Sequence, residues 1–188
     1  MIPSSKQVSN ECLVRGVSYE TISDAQSSSI LAEIANPEVN QDAVKLEKAP
    51  KIAVYTPKGK QPWDDAVTLV LKYAEIPYDE IYDQDVFLDK LKDYDWLHLH
   101  HEDFTGQYGK FYAQFNNAAW YQKEVKENEE MAKKLGFAKT SEMKLNTAKK
   151  IRDFVFSGGF LFAMCSATDS YDIALAAEGV DICESIFD

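Results

Sequence analysis

At 188 residues, with 45% apolar and 12% aromatic content, the chain can bury one hydrophobic core and is neither disordered nor fibrous. A net charge of -11 and a pI near 4.7, with no basic patch to displace counterions from phosphates, exclude nucleic acid as a partner. No apolar run approaches the length needed for a membrane-spanning segment, and Met1-Ile2-Pro3-Ser4-Ser5-Lys6 lacks the apolar core of a signal peptide. Compartment is left open, and Cys12, Cys165 and Cys183 are too few and odd in number for a disulfide framework.

In chain order, residues 1–15 read as a polar, unpatterned segment, and Val17-Ser18-Tyr19-Glu20-Thr21-Ile22 alternates as a short strand would. Ser23 or Asp24 caps a helix running to about Ala35, Asn36-Pro37 ends it, and Asn40 to Pro50 reads as a linker, a possible domain seam. Ile52-Ala53-Val54-Tyr55 is a buried strand followed by a loop, with Pro62 placed for a first helical turn. Trp63, Ala66, Val67, Val70, Leu71 and Ala74 then recur at helical spacing, completing a βα unit.

Strands follow at Tyr78–Tyr82 and Tyr94–His100, separated by a short helix or turn over Val86–Leu91. Residues 104–157 form a helical insertion: an aromatic first half, a charged stretch to Lys134 with Gly136 as its cap, and a second helix over about Ser141–Phe156. Its helix presents Leu145, Ala148, Ile151 and Val155 on one face, and Gly158-Gly159 leads into the next strand. That strand, Phe160-Leu161-Phe162-Ala163, ends on Met164-Cys165-Ser166-Ala167, and a helix follows from about Thr168 to Ala177. Strands separated by helices in this rhythm predict an α/β fold with a doubly wound parallel sheet, in the order 78–82, 51–56, 94–100, 159–164. The simplest organisation is one α/β domain over 1–188, and an ending just after an apparent strand at Val180–Cys183 reads as a piece of a longer protein.

Cys165 sits where an apolar strand hands over to a helix, flanked by the small residues Ala163 and Ala167. Such a turn pushes the side chain at the bend above the carboxyl edge of a parallel sheet, beside the positive end of the next helix. The competing reading is a small buried hydrophobe at the end of a core strand. All three histidines, His98, His100 and His101, fall within four residues, followed by Glu102 and Asp103. Residues beyond His100 emerge at the same carboxyl edge as Cys165, where doubly wound sheets bind ligands. Three uses compete for the cluster: base to Cys165, divalent metal site with Glu102 or Asp103, or hydrogen-bonded packing at a crowded edge.

The strand order, with a long helical excursion before the cysteine turn, resembles the class I glutamine-amidotransferase-like fold, a flavodoxin-like arrangement with a nucleophile elbow of the pattern small-x-Cys-x-small. More narrowly, Trp63-Asp64-Asp65-Ala66, the run Asp95 to Gly106 and Phe162 to Asp169 resemble a family of Bacteroidetes proteins that carry the label asparagine synthetase B. The likeness covers about Gly16 to Asp188. Glutamine-dependent asparagine synthetases use an N-terminal cysteine, whereas residue 2 here is Ile2, so the label does not fit the mechanism.

What the resemblance implies is a cysteine-dependent amide hydrolase or amidotransferase in which Cys165 is the nucleophile, His100 or His101 moves the proton, and Ser166, Gly106 and Glu102 serve oxyanion or substrate binding. No metal and no cofactor is expected; the partner is a small-molecule substrate or another protein. In the family the triad histidine and glutamate follow the cysteine, but only 23 residues follow Cys165 and none is a histidine. A catalytically inactive binding or scaffold module of the same fold is therefore the alternative.

Overall fold

The computed structural model describes residues 5–39, 49–57, 65–101 and 108–187. By its internal contacts the chain divides into two compact units, Met1–Ala49 and Pro50–Asp188, the division falling at the end of the polar stretch before Lys51.

In the first unit, α1 (Ser5–Val14) occupies the segment read as unpatterned, and α2 (Asp24–Ile34) follows. Ser23 caps α2 reciprocally: its Oγ accepts from Gln26 N at 3.3 Å while Gln26 Oε1 accepts from Ser23 N at 2.9 Å. The alternating Val17–Ile22 segment is not a strand. Alternation alone does not make one, because an extended segment without a neighbour leaves its backbone groups unpaired.

The second unit holds a four-stranded, all-parallel sheet of β1 (Ile52–Tyr55), β2 (Tyr78–Ile81), β3 (Trp96–Leu99) and β4 (Phe160–Ala163), in the order β2-β1-β3-β4. This is the order the sequence predicts, and it fits a flavodoxin-like arrangement. All four residues of β1 are buried, as a central parallel strand requires when both faces are covered. In register, Ala53, Leu97 and Leu161 line one face with Tyr55, Leu99 and Ala163. That face packs with Ala148, Ile151 and Phe154 of α7 (Thr140–Phe156), Val86 of α4 (Asp83–Phe87) and Ala167 of α8 (Ser166–Ala176). The other face carries the registered rows Ile52, Trp96, Phe160 and Val54, His98, Phe162.

The crossover from β1 to β2 runs through α3 (Ala66–Tyr73); Pro62 and Trp63, expected at its start, lie outside the described residues. Between β3 and β4 the insertion forms α5 (Tyr108–Phe115), α6 (Ala119–Lys134) and α7. Phe111, Phe115, Trp120 and Tyr121 stack on one another at ring separations of 5.4 to 5.9 Å, and the charged half of α6 carries the i,i+4 pairs Lys123–Glu127 and Lys126–Glu130. The turn into β4 needs both its glycines for different reasons. Gly158 adopts φ 98°, and a Cβ on Gly159 would run into the Phe154 ring.

Val180–Cys183, expected as a strand, is irregular, bent chain after α8. Asp181 Oδ1 accepts from Cys183 N at 3.1 Å, a local side-chain bond that competes with a strand ladder, and Val180 and Ile182 are exposed.

Candidate functional site

The β3–β4 half of the sheet's carboxyl edge is built from three segments: the start of α3, the end of β3 and the β4–α8 turn. Asp65 is the N-cap of α3. Its Oδ1 accepts from the backbone N–H groups of Val67 at 2.7 Å and Thr68 at 3.3 Å, which satisfies donors left free by the first helical turn. Its Oδ2 turns to β3, accepting from His98 Nε2 at 3.0 Å and from the backbone N–H of His101 at 2.8 Å. His101 Nδ1 lies 3.6 Å from the same oxygen.

The side chains of Asp65 and His98 are both fully buried. His98 Nδ1 lies 3.2 Å from the carbonyl oxygen of Phe162 on β4, so each of its ring nitrogens faces an oxygen that only accepts. The ring is thus held between two acceptors, the Asp65 carboxylate on one side and the Phe162 carbonyl on the other. Burial alone would raise the Asp65 carboxyl. The His98 hydrogen bond, the His101 N–H, the His98 charge and the Val67 N–H outweigh it and hold the group well below the usual carboxylate range.

Cys165 heads α8 at φ 52°, ψ -138°, outside the left-handed well that Asp89 occupies at φ 57°, ψ 27°. A residue with a Cβ held there costs on the order of 1–3 kcal/mol. The side chain is exposed, and all three cysteines are free thiols. Its neighbour Ser166 joins the two strand ends, with Oγ 3.4 Å from the carbonyl oxygen of His101 and 3.9 Å from Cys165 Sγ.

Of the residues singled out in the sequence, Cys165, Ser166 and His101 meet at this edge. His100 stacks on His101 with ring centroids 4.5 Å apart, but it is buried while the His101 side chain is one-third exposed. Glu102 and Gly106 lie outside the described residues. Asp65 and the pairing role of His98 were missed. The only signal was an Asp before an apolar helical repeat, which announces a cap and not a partner 33 residues away.

Asp65, His100 and His101 each bring one ligand-type atom within 4.8 Å of the others. Asp65 already accepts four N–H groups, two on each oxygen, so an ion bound at the ~2.0–2.2 Å of a metal–carboxylate bond would have to displace one of them. The arrangement suits proton handling better than ligation: an exposed thiol, an imidazole one-third exposed and a buried carboxylate whose charge is fixed.

Comparison with family models, with curated proteins and with solved structures gives no match to this chain.

Proposed function

We propose that this edge carries out cysteine-dependent acyl transfer on an amide, as an amide hydrolase or amidotransferase of the class I glutamine-amidotransferase-like type. The observation that carries this reading is the backbone of Cys165. A thiol held at positive φ between a strand and a helix, exposed at the carboxyl edge, is what a nucleophile elbow requires and supports this reading, and strain of this kind collects at functional residues.

In the proposed reaction Cys165 Sγ attacks the amide carbonyl carbon and His101 takes the thiol proton. His101 then delivers that proton to the departing nitrogen, leaving a thioester on Cys165 and free amine or ammonia. Water, deprotonated by His101, cleaves the thioester to the acid and restores the thiol. The N–H of Ser166, the residue after the nucleophile, is the proposed oxyanion donor on the α8 side. His101 is preferred over His100 as base because it reaches solvent and follows the strand end, where Ser166 touches its carbonyl.

The test uses p-nitrophenyl acetate as acyl donor and L-glutamine as amide. A burst of p-nitrophenol with the acetyl group located on Cys165 by peptide mass spectrometry is expected, lost in Cys165→Ala and slowed ~10²-fold or more in His101→Ala. Equal acetylation of Cys12, Cys165 and Cys183, or a burst that survives Cys165→Ala, overturns the reading in favour of a binding module.

A further inference from the structure

The geometry points to Asp65 as the residue that positions His101, so that nucleophile, base and orienting carboxylate all lie between residues 65 and 165. The inference rests on the reading of Cys165 and His101 as an acyl-transfer pair, and it assigns a role to a residue outside the cluster of histidines.

Capping α3 needs one acceptor, and Oδ1 supplies it alone. The second oxygen is aimed away from the helix, at the two histidines. A serine, threonine or asparagine would cap as well, but none would bring a negative charge to β3. That charge is held as a carboxylate by His98, which is itself locked by the Phe162 carbonyl and cannot turn away. Asp65 thus stays ionised and acts as an acceptor throughout, without taking a proton.

His101 receives this charge at two points. Its backbone N–H is bonded to Oδ2 at 2.8 Å, which fixes where the residue leaves β3, and its Nδ1 faces the same oxygen at 3.6 Å. His101 Nδ1 is buried and has no hydrogen-bond partner, the Asp65 carboxylate being the acceptor it faces. Facing a carboxylate, that nitrogen carries the proton, which leaves the lone pair of the neutral ring on Nε2, the nitrogen able to accept from a thiol. When the ring takes that proton, the carboxylate steadies the imidazolium. The order along the chain is acid, base, nucleophile, the reverse of what the amidotransferase resemblance implies, and triads are defined by geometry and not by order.

Two measurements test this. In protein labelled with ¹⁵N-histidine, His101 being assigned by the signal lost in His101→Ala, the neutral ring is expected as the Nδ1–H tautomer, with the Nε2–H form gaining population in Asp65→Asn. In the same variant the acylation rate constant of Cys165 with p-nitrophenyl acetate is expected to fall ~10²-fold or more while the half-saturating probe concentration holds within threefold. Circular dichroism confirms that the variant is folded, and the tautomer of the parent protein is read without any variant of Asp65. An Nε2–H tautomer in the parent, or an Asp65→Asn protein with unchanged tautomer and rate, overturns the inference. If instead His101→Ala leaves acylation intact while the tautomer is as expected, it is the choice of base that fails and the positioning by Asp65 that holds.

Discussion

At the carboxyl end of β1 and β2, Asp83 and Lys144 form a buried ion pair at 2.6 Å; beside the end of β3, the Asp65 carboxylate and the His98 imidazole form a second buried pair at 3.0 Å. The first pair is closed on every side. Lys144 Nζ also donates to Tyr82 Oη at 2.9 Å and Tyr55 Oη at 3.3 Å, and Asp83 Oδ1 accepts from Tyr55 Oη at 2.6 Å and Thr147 Oγ1 at 3.1 Å. Nothing is left over to act on a ligand, and the cation comes from α7, so the pair ties the insertion to the sheet. The second pair is buried as deeply, but its carboxylate also faces His101, whose side chain reaches solvent. What separates a clamp from a candidate site is therefore the presence of an exposed neighbour, not the buried pair itself.

Removing one member of the closed pair has the largest expected effect. Lys144→Met leaves the Asp83 carboxylate buried without its cation, which costs ~3–5 kcal/mol, read as a drop in the urea midpoint at neutral pH. The double variant Asp83→Leu with Lys144→Met is expected to recover more than half of that loss, because no lone charge remains. A single-variant loss under ~1 kcal/mol would mean that water reaches the pair, and the contrast between the two edges would go.

Asp65 gives the next effect, and its direction in pH follows from its lowered pKa. In the unfolded chain the carboxyl titrates near ~4, and in the folded protein well below that. The stabilisation is complete above pH ~4 and is lost as pH falls toward the folded value. Urea midpoints at pH 7, 4 and 3 are expected to drop steeply in the parent and less so in Asp65→Asn, which starts ~2 kcal/mol lower at pH 7. Parallel profiles for the two proteins would show that the carboxylate is not held by His98 as described.

How much of this was legible in the sequence follows from the range of each interaction. The strands and their order are written in apolar runs punctuated by glycine and by helical repeats, and the cysteine turn in small residues around one thiol. Asp83–Lys144 was not legible. Lys144 sits in a helix whose apolar repeat was read as Leu145, Ala148, Ile151 and Val155, yet the buried face is Met143, Lys144, Thr147, Ala148, Ile151 and Phe154, a rotation that brings one lysine inward. Periodicity cannot weigh a charge that is paid for 61 residues upstream. Asp65–His98 was hidden in the same way, and Val17–Ile22 misled because period-2 alternation says nothing about whether a neighbouring strand exists.

The smallest effect sharpens the open edge. Ser166 contributes two things, a hydroxyl that bridges the His101 carbonyl and Cys165, and a backbone N–H at the head of α8. Ser166→Ala removes the first and keeps the second. One long hydrogen bond at a partly exposed site is worth ~0.5–1 kcal/mol, so the urea midpoint should move little. If the oxyanion is held by the N–H, the rate of Cys165 acylation in Ser166→Ala stays within threefold of the parent. A fall of ~10²-fold with unchanged stability would transfer that role to the hydroxyl, since the loss of one oxyanion donor has about that size. The open edge would then depend on a side chain that the helix holds, and the division of labour between turn and backbone would have to be redrawn.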